Sequence, residues 1–249
     1  MDLTDRVVLV AGGSGLLGTA IARALAGAGA DIAFTYLERQ DAARETVTAV
    51  EALGRKAWSV TLDQTDADAI PRAVDAAAGH FGRLDGLVNN AGWNISIPFP
   101  DLAALDAGTW DRLFSTNLRG PYLLCRAAAP HLKANGAGRI VNIASVAGLN
   151  PGGSSIGYAT SKAGLIHLTR CLAVALGPEV TVNCVAPGLM DGTRMTSRLR
   201  PEVVAGALQR AVLRRAASVD DVADQVVAFC RSDSVTGQVL NIDAGVFFH

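Results

Sequence analysis

Between Ser145 and Lys162 the chain reads SVAGLNPGGSSIGYATSK, which places a hydroxyl, a phenol and an ammonium in one short span. Tyr158 and Lys162 stand four residues apart, so on a helix they share a face, with Cβ atoms about 6 Å from one another. A phenol ionises near pH ~10 and is a poor acid/base at neutrality; an adjacent ammonium favours its anion and draws that value down. Such a pair can move a proton, and a serine hydroxyl nearby can orient the oxygen that receives it. Tyr158 and Lys162 also read as an ordinary pair on a helix surface, so the chemistry depends on what the chain brings beside them.

The elements that must position these groups follow a regular alternation. Residues 6–11 (RVVLVA) form a continuous apolar run, as expected of a parallel strand covered on both faces. GGSGLLG comes next, and from Leu16 the Ala-rich pattern LLGTAIARALAGAG is helical. Glycines between a first strand and a first helix let the backbone approach a pyrophosphate, whose charge the helix N-terminus stabilises. That reading assigns Gly12, Gly13, Gly15 and Gly18 to a phosphate turn, although glycines also mark ordinary turns. Strand-like segments recur at 31–36, 56–63, 84–89, 139–144, 180–185 and 237–242. Helix-like segments fall at 41–54, 67–82, 107–134, after Ser145, and at 219–231. The alternation predicts a Rossmann-type α/β fold: a doubly wound, mostly seven-stranded parallel sheet with helices on both faces, as one domain over 1–249. The 107–134 helix is expected to break at Gly120-Pro121, just after Asn117. Ligands in such sheets sit outside the carboxyl ends of strands, where Gly12, Asp63, Asn89, Ser145 and Pro187-Gly188 all fall. Residues 186–215 break the rhythm and read as a substrate lid.

Composition narrows the partners. Half of the residues are hydrophobic, 18% are charged and the formal net charge is −1, which leaves no basic footprint for nucleic acid. The apolar run near the N-terminus is far too short to span a membrane. Cys125, Cys171, Cys184 and Cys230 show neither CxxC spacing nor paired histidines, so no metal site and no disulfide framework is expected. Free thiols fit a reducing, cytoplasmic compartment. Asn94-Ile95-Ser96 matches a glycosylation acceptor, without a secretory signal to give it meaning.

Taken in order, the glycine turn at 11–18, Asp63, Asn89-Asn90-Ala91-Gly92, Asn117, Ser145, Tyr158-x-x-x-Lys162, Pro187-Gly188 and residues 241–245 resemble the short-chain dehydrogenase/reductase family in its shorter single-domain form. The resemblance covers essentially the whole chain. It implies an oxidoreductase that transfers a hydride between a nicotinamide cofactor and a ketone or secondary alcohol, 3-oxoacyl thioesters being one class. By that resemblance Tyr158 is the general acid/base, Lys162 lowers its pKa and bonds the nicotinamide ribose, Ser145 holds the substrate oxygen, and Asn117 supports a proton relay through water to Lys162. The chemistry is independently sensible, because a ketone develops an alkoxide as hydride arrives on carbon and needs one group to orient it and one acid to protonate it.

The implied cofactor set is Gly12, Ser14, Gly15, Leu16, Leu17, Gly18, Tyr36, Arg39, Asp63, Asn90, Ala91, Gly92, Pro187, Gly188 and Thr193. Trp93, Asn94, Leu149, Gly153, Met190 and Met195 are candidates for the substrate wall, core packing being the other reading of the apolar ones. Asn89 and Asn90 are expected to tie strand and cofactor loop together through their amides. None of His80, His131, His167 and His249 is placed to be catalytic. A homotetramer is expected from the resemblance and from the small-residue helix at 163–177, with Phe247 and Phe248 meeting another subunit or the pocket rim.

Leu16 stands where the short form carries glycine, a spacing closer to the epimerase-type branch. Thr193 follows Pro187-Gly188 one residue later than usual, and the segment 230–237 is short. Tyr36 occupies the position where NAD-using relatives carry Asp, which favours NADP with Arg39 on its 2′-phosphate. Glu38 beside it, and Gly15 in place of a basic residue, keep NAD possible. An epimerase or dehydratase would need a sugar-binding region that this length leaves no room for. A catalytically idle dinucleotide sensor is the alternative from another class.

Overall fold

The computed structural model describes residues 1–193, 196–199 and 201–248. The strands are β1 (Val7–Ala11), β2 (Asp31–Tyr36), β3 (Ala57–Thr61), β4 (Gly86–Asn89), β5 (Gly138–Ile143), β6 (Val180–Pro187) and β7 (Val239–Ile242). They form one seven-stranded sheet in the order β3-β2-β1-β4-β5-β6-β7, every neighbouring pair parallel. Connections run outward in opposite directions from β1 and β4, so the crevice between these two strands is the switch point of a doubly wound sheet.

The helices are α1 (Leu16–Gly27), α2 (Gln40–Glu51), α3 (Ala69–Phe81), α4 (Ala107–Phe114), α5 (Gly120–Ala134), α6 (Ile156–Leu176), α7 (Pro201–Arg210) and α8 (Val219–Arg231). Successive side chains of β1 point to opposite faces, and each face is covered. Val8 and Val10 pack with Ile21 and Leu25 of α1 and Val226 and Phe229 of α8. Val7 and Leu9 pack with Ile70 and Val74 of α3 and Leu124 and Leu132 of α5. This two-sided burial is why the strand reads as an unbroken apolar run rather than an alternating one. Among the described residues, no helix is long and apolar enough to cross a membrane.

One expectation is corrected here. The break in the 107–134 helix lies not at Gly120-Pro121 but at a π-helical turn, Ser115–Arg119, with Gly120 and Pro121 already in the first turn of α5. Gly120 N donates to Ser115 O, five residues back, and because Pro121 has no N–H to continue that ladder, the Thr116 carbonyl accepts from Gln64 Nε2 at 2.6 Å instead. The wider turn carries Asn117, which is fully buried.

Candidate active site

The glycine turn after β1 is shaped by contacts that allow no side chain. Gly12 has φ +74, and a Cβ on Gly18 would lie 2.1 Å from the Gly12 carbonyl oxygen. The turn is also held from four sides. Thr35 Oγ1 accepts from Gly12 N at 3.1 Å, Asn90 Nδ2 donates to Gly12 O at 2.9 Å, and Thr19 and Thr46 hydroxyls donate to Gly13 O at 3.2 and 3.3 Å. Helix α1 starts at Gly15 without a side-chain cap and without an acidic residue in its first turn. Its first N–H groups therefore point into the crevice with no intrahelical acceptor, an arrangement that suits an anion. A Cβ built on Gly15 would find its nearest neighbour at 3.9 Å, so the mouth of this cradle is open. The residues fit a dinucleotide's diphosphate.

Ser145 lies just beyond β5 and caps a short 3₁₀ turn, its Oγ accepting from Ala147 N at 3.2 Å and donating to Pro187 O at 3.4 Å. The Ser145 hydroxyl stands near enough to the Tyr158 phenol to favour its anion. Tyr158 is the third residue of α6, whose N-cap is Ser155, with Oγ accepting from Tyr158 N at 3.2 Å. Lys162 is one turn further on; its Nζ donates to Ile143 O at 2.8 Å and lies 5.9 Å from the centre of the Tyr158 ring.

The electrostatics differ from those expected of the Tyr/Lys spacing alone. Burial pushes the Tyr158 phenol up from its ordinary value, opposed by the Ser145 hydroxyl, so the lysine does not bring it below that value. Both side chains are withdrawn from water, which penalises each charge, and the ammonium is turned to the end of β5. Burial lowers Lys162 from 10.5 to about 8. Above about 8 the native lysine loses its proton while the unfolded chain keeps its own until about 10.5, so stability rises with pH across this window, by about 3 kcal/mol in total. Below the window both states are protonated and the penalty is constant. Lys162→Met is expected to flatten that rise, as measured by urea unfolding at several pH values between these limits.

All fifteen residues of the expected cofactor set line one cleft of about 2180 Å³ together with Ser145, Tyr158 and Lys162. Trp93, Asn94, Gly153 and Met190 line it too. Leu149 does not; it packs with Leu165 and Ile166 in a small core cluster under the cleft. Met195 lies outside the described residues. Asn117 also stands behind the cleft wall rather than on it. Its Oδ1 accepts from Trp93 N at 2.8 Å, and its Nδ2 donates to Trp93 O at 2.9 Å and to Ser161 Oγ at 3.1 Å. Its amide is thus occupied in fixing the Trp93 loop against α6. Asn89 departs similarly, its Nδ2 donating to Asn142 Oδ1 at 2.8 Å and to Cys125 Sγ at 3.2 Å, while Asn90 alone of the two bonds the glycine turn. Thr193 Oγ1 donates to Met190 O at 3.2 Å and to Thr196 Oγ1 at 3.0 Å, within its own loop.

Several lining groups escaped the sequence reading. Arg112 stacks its guanidinium over Trp93 at 4.3 Å, and Val203 and Ala207 come from α7; Phe247, expected at another subunit or the pocket rim, lines the cleft from the C-terminal tail. Phe248 instead is 82% exposed.

Comparison with known proteins fits this geometry. The family model described as short chain dehydrogenase matches residues 6–203. The chain belongs to the short-chain dehydrogenase family, and with it to the nicotinamide-dependent oxidoreductases. It is 36% identical over 245 residues to cis-4-hydroxycyclohexanecarboxylate dehydrogenase of Sinomonas cyclohexanicum, covering 97% of this chain and 96% of the relative. It is 34% identical over 252 residues to the 3-oxoacyl-acyl-carrier-protein reductase FabG of Thermotoga maritima, with 99% of each chain covered. Among solved structures, a short chain dehydrogenase from Burkholderia cenocepacia J2315 in complex with NADP superposes with a TM-score of 0.91 at 37% identity, again over 99% of each chain.

Proposed function

We propose that this protein transfers a hydride between NADP(H) and a ketone or secondary alcohol, with Tyr158 as the proton donor and acceptor. The observation that carries this reading is that Ser145, Tyr158 and Lys162 line the same cleft as the glycine turn. A bound nicotinamide supplies the hydride. The protein does the rest. Two hydroxyl hydrogens, from Ser145 and Tyr158, converge on the substrate oxygen and stabilise the charge that develops there. Tyr158 then gives up its proton; its high pKa holds the proton in place at neutral pH until the alkoxide, a far stronger base, forms. Lys162, with its ammonium drawn into the cleft wall, stabilises the resulting phenolate and bonds the ribose. Asn117 acts by holding the Trp93 loop in register with α6. The first-turn amides of α1 take the diphosphate, and residues 186–215 close over the substrate as a lid. A homotetramer is the assembly we propose.

NADP is preferred because Tyr36 and Arg39 border the cleft where an acidic residue would repel a 2′-phosphate. The Burkholderia cenocepacia relative, which binds NADP, supports the assignment. Turnover of a ketone panel, followed by nicotinamide absorbance with NADPH and NADH at equal low concentration, tests both parts. Arg39→Ala is expected to lower kcat/KM for NADPH roughly ten- to a hundredfold, the worth of a charge-assisted contact, and to change NADH use little. A strong preference of the wild type for NADH would remove Arg39 from this role.

A further inference from the structure

Helix α7 carries Val203 and Ala207 one turn apart, and the same spacing continues to Leu199 before it and Ala211 after it; all four line the cleft. The opposite face, with Glu202, Ala205 and Gln209, is exposed. No residue of α7 is buried, Val203 is 40% exposed, and no strand or other helix packs extensively on it. Ten residues make a marginal helix in water, and amphipathic helices gain their stability by covering the apolar stripe. Here the C-terminal flank is tied instead: Val212 N and Leu213 N donate to Gly245 O and Ala244 O at 3.2 and 3.1 Å, and Ala217 N donates to Leu189 O at 2.8 Å. The helix is held over the cleft from its C-terminal side, with Val203 and Ala207 on the cleft and only Ala211, past its end, buried.

We infer that the stripe is covered by the substrate: the molecule reduced or oxidised here carries an apolar chain or ring of several carbons on its carbonyl carbon, and polyhydroxylated ketones are not its class. This rests on Ser145 and Tyr158 forming the carbonyl site. The stripe belongs to the same cleft as those two side chains, with Trp93 and Met190 adding further apolar wall. A second copy of the chain would meet the outward face, which is polar at Glu202 and Gln209.

Burying one methylene is worth ~0.8 kcal/mol, so each carbon added to the chain should raise kcat/KM about fourfold until the stripe is covered. A series of methyl n-alkyl ketones with NADPH reads this slope directly. Val203→Ser and Ala207→Ser are expected to reduce the slope, whereas Ala205→Ser, on the outer face, should leave it as it is. Hydrogen exchange across residues 203–211 should slow when NADP and a long-chain ketone are present together, and not with NADP and a sugar ketone. A flat slope among ketones that are turned over, or faster turnover of a polyol ketone, overturns the inference while the carbonyl reading stands. If no ketone reacts but the long-chain compound still protects α7, the carbonyl reading fails and the apolar site survives. Protection that depends on protein concentration without any ligand would assign the stripe to a second copy and end the proposal.

Discussion

Tyr158→Phe should lower kcat by roughly a thousandfold, within the ~10²–10⁴ range that general acid catalysis contributes, with little change in fold or in nicotinamide binding. The ring is 8% exposed and packs with Leu113 and Ala147, contacts that phenylalanine keeps. What is lost is one oxygen with its hydrogen bonding, and its influence on Ser145. Ser145 is not stranded by the change, because Ala147 N and Pro187 O remain its partners. Thermal unfolding should therefore move by only a few degrees, about 1 kcal/mol for one neutral hydrogen bond. The measurement that separates chemistry from binding is single-turnover reduction alongside a fluorescence titration with NADPH. Turnover within tenfold of wild type would show that the proton comes from elsewhere.

The second large effect is expected at Gly18. A methyl group there would stand 2.1 Å from Gly12 O, 2.9 Å from Gly13 Cα and 3.0 Å from Asn90 Nδ2. Two of the three are backbone atoms locked by hydrogen bonds, so no rotamer change relieves the clash. Gly18→Ala should cost stability at or beyond the upper end of the ~1–3 kcal/mol typical of overpacking. Where the protein still folds, the displaced turn should weaken NADPH binding about a hundredfold, because the amides no longer converge on one anion. Gly79→Ala is the control. It lies on the exposed side of α3 with nothing within 4 Å, and should gain about 0.5–1 kcal/mol from helix propensity. Equal losses in both variants would mean that Gly18 is not a close-packing position.

The sheet was legible in the sequence because strands covered on both faces write themselves as continuous apolar runs, and RVVLVA or RIVNIA needs no tertiary knowledge to be recognised. The cleft was legible for a related reason: ligands gather at strand ends, and the motif residues fall there in order. What stayed hidden depends on contacts distant in sequence. Gly120-Pro121 is the strongest local signal for a helix break, yet the break is a π-turn that brings Asn117 to the backbone of Trp93, a partner 24 residues away. The i, i+4 spacing placed an ammonium beside Tyr158 but carried no information about depth, and desolvation by depth decides the direction of both shifts. Leu149 looked like pocket wall because its neighbours are, but its side chain is claimed by Leu165 and Ile166. The apolar spacing of α7 could be read from the chain; that Val203 and Ala207 line the cleft could not.

The Ser155 cap has a consequence for how the proton donor is aimed. A helix is a screw, and sliding its start by one residue would turn every side chain by about 100° about the axis. Tyr158 and Lys162 would turn together, so their mutual spacing is insensitive to such a slip, while their aim at Ser145 is not. The hydroxyl of Ser155 on the Tyr158 amide works as an index pin: it contributes no reacting atom, yet it sets the angle at which α6 presents its phenol to the cleft.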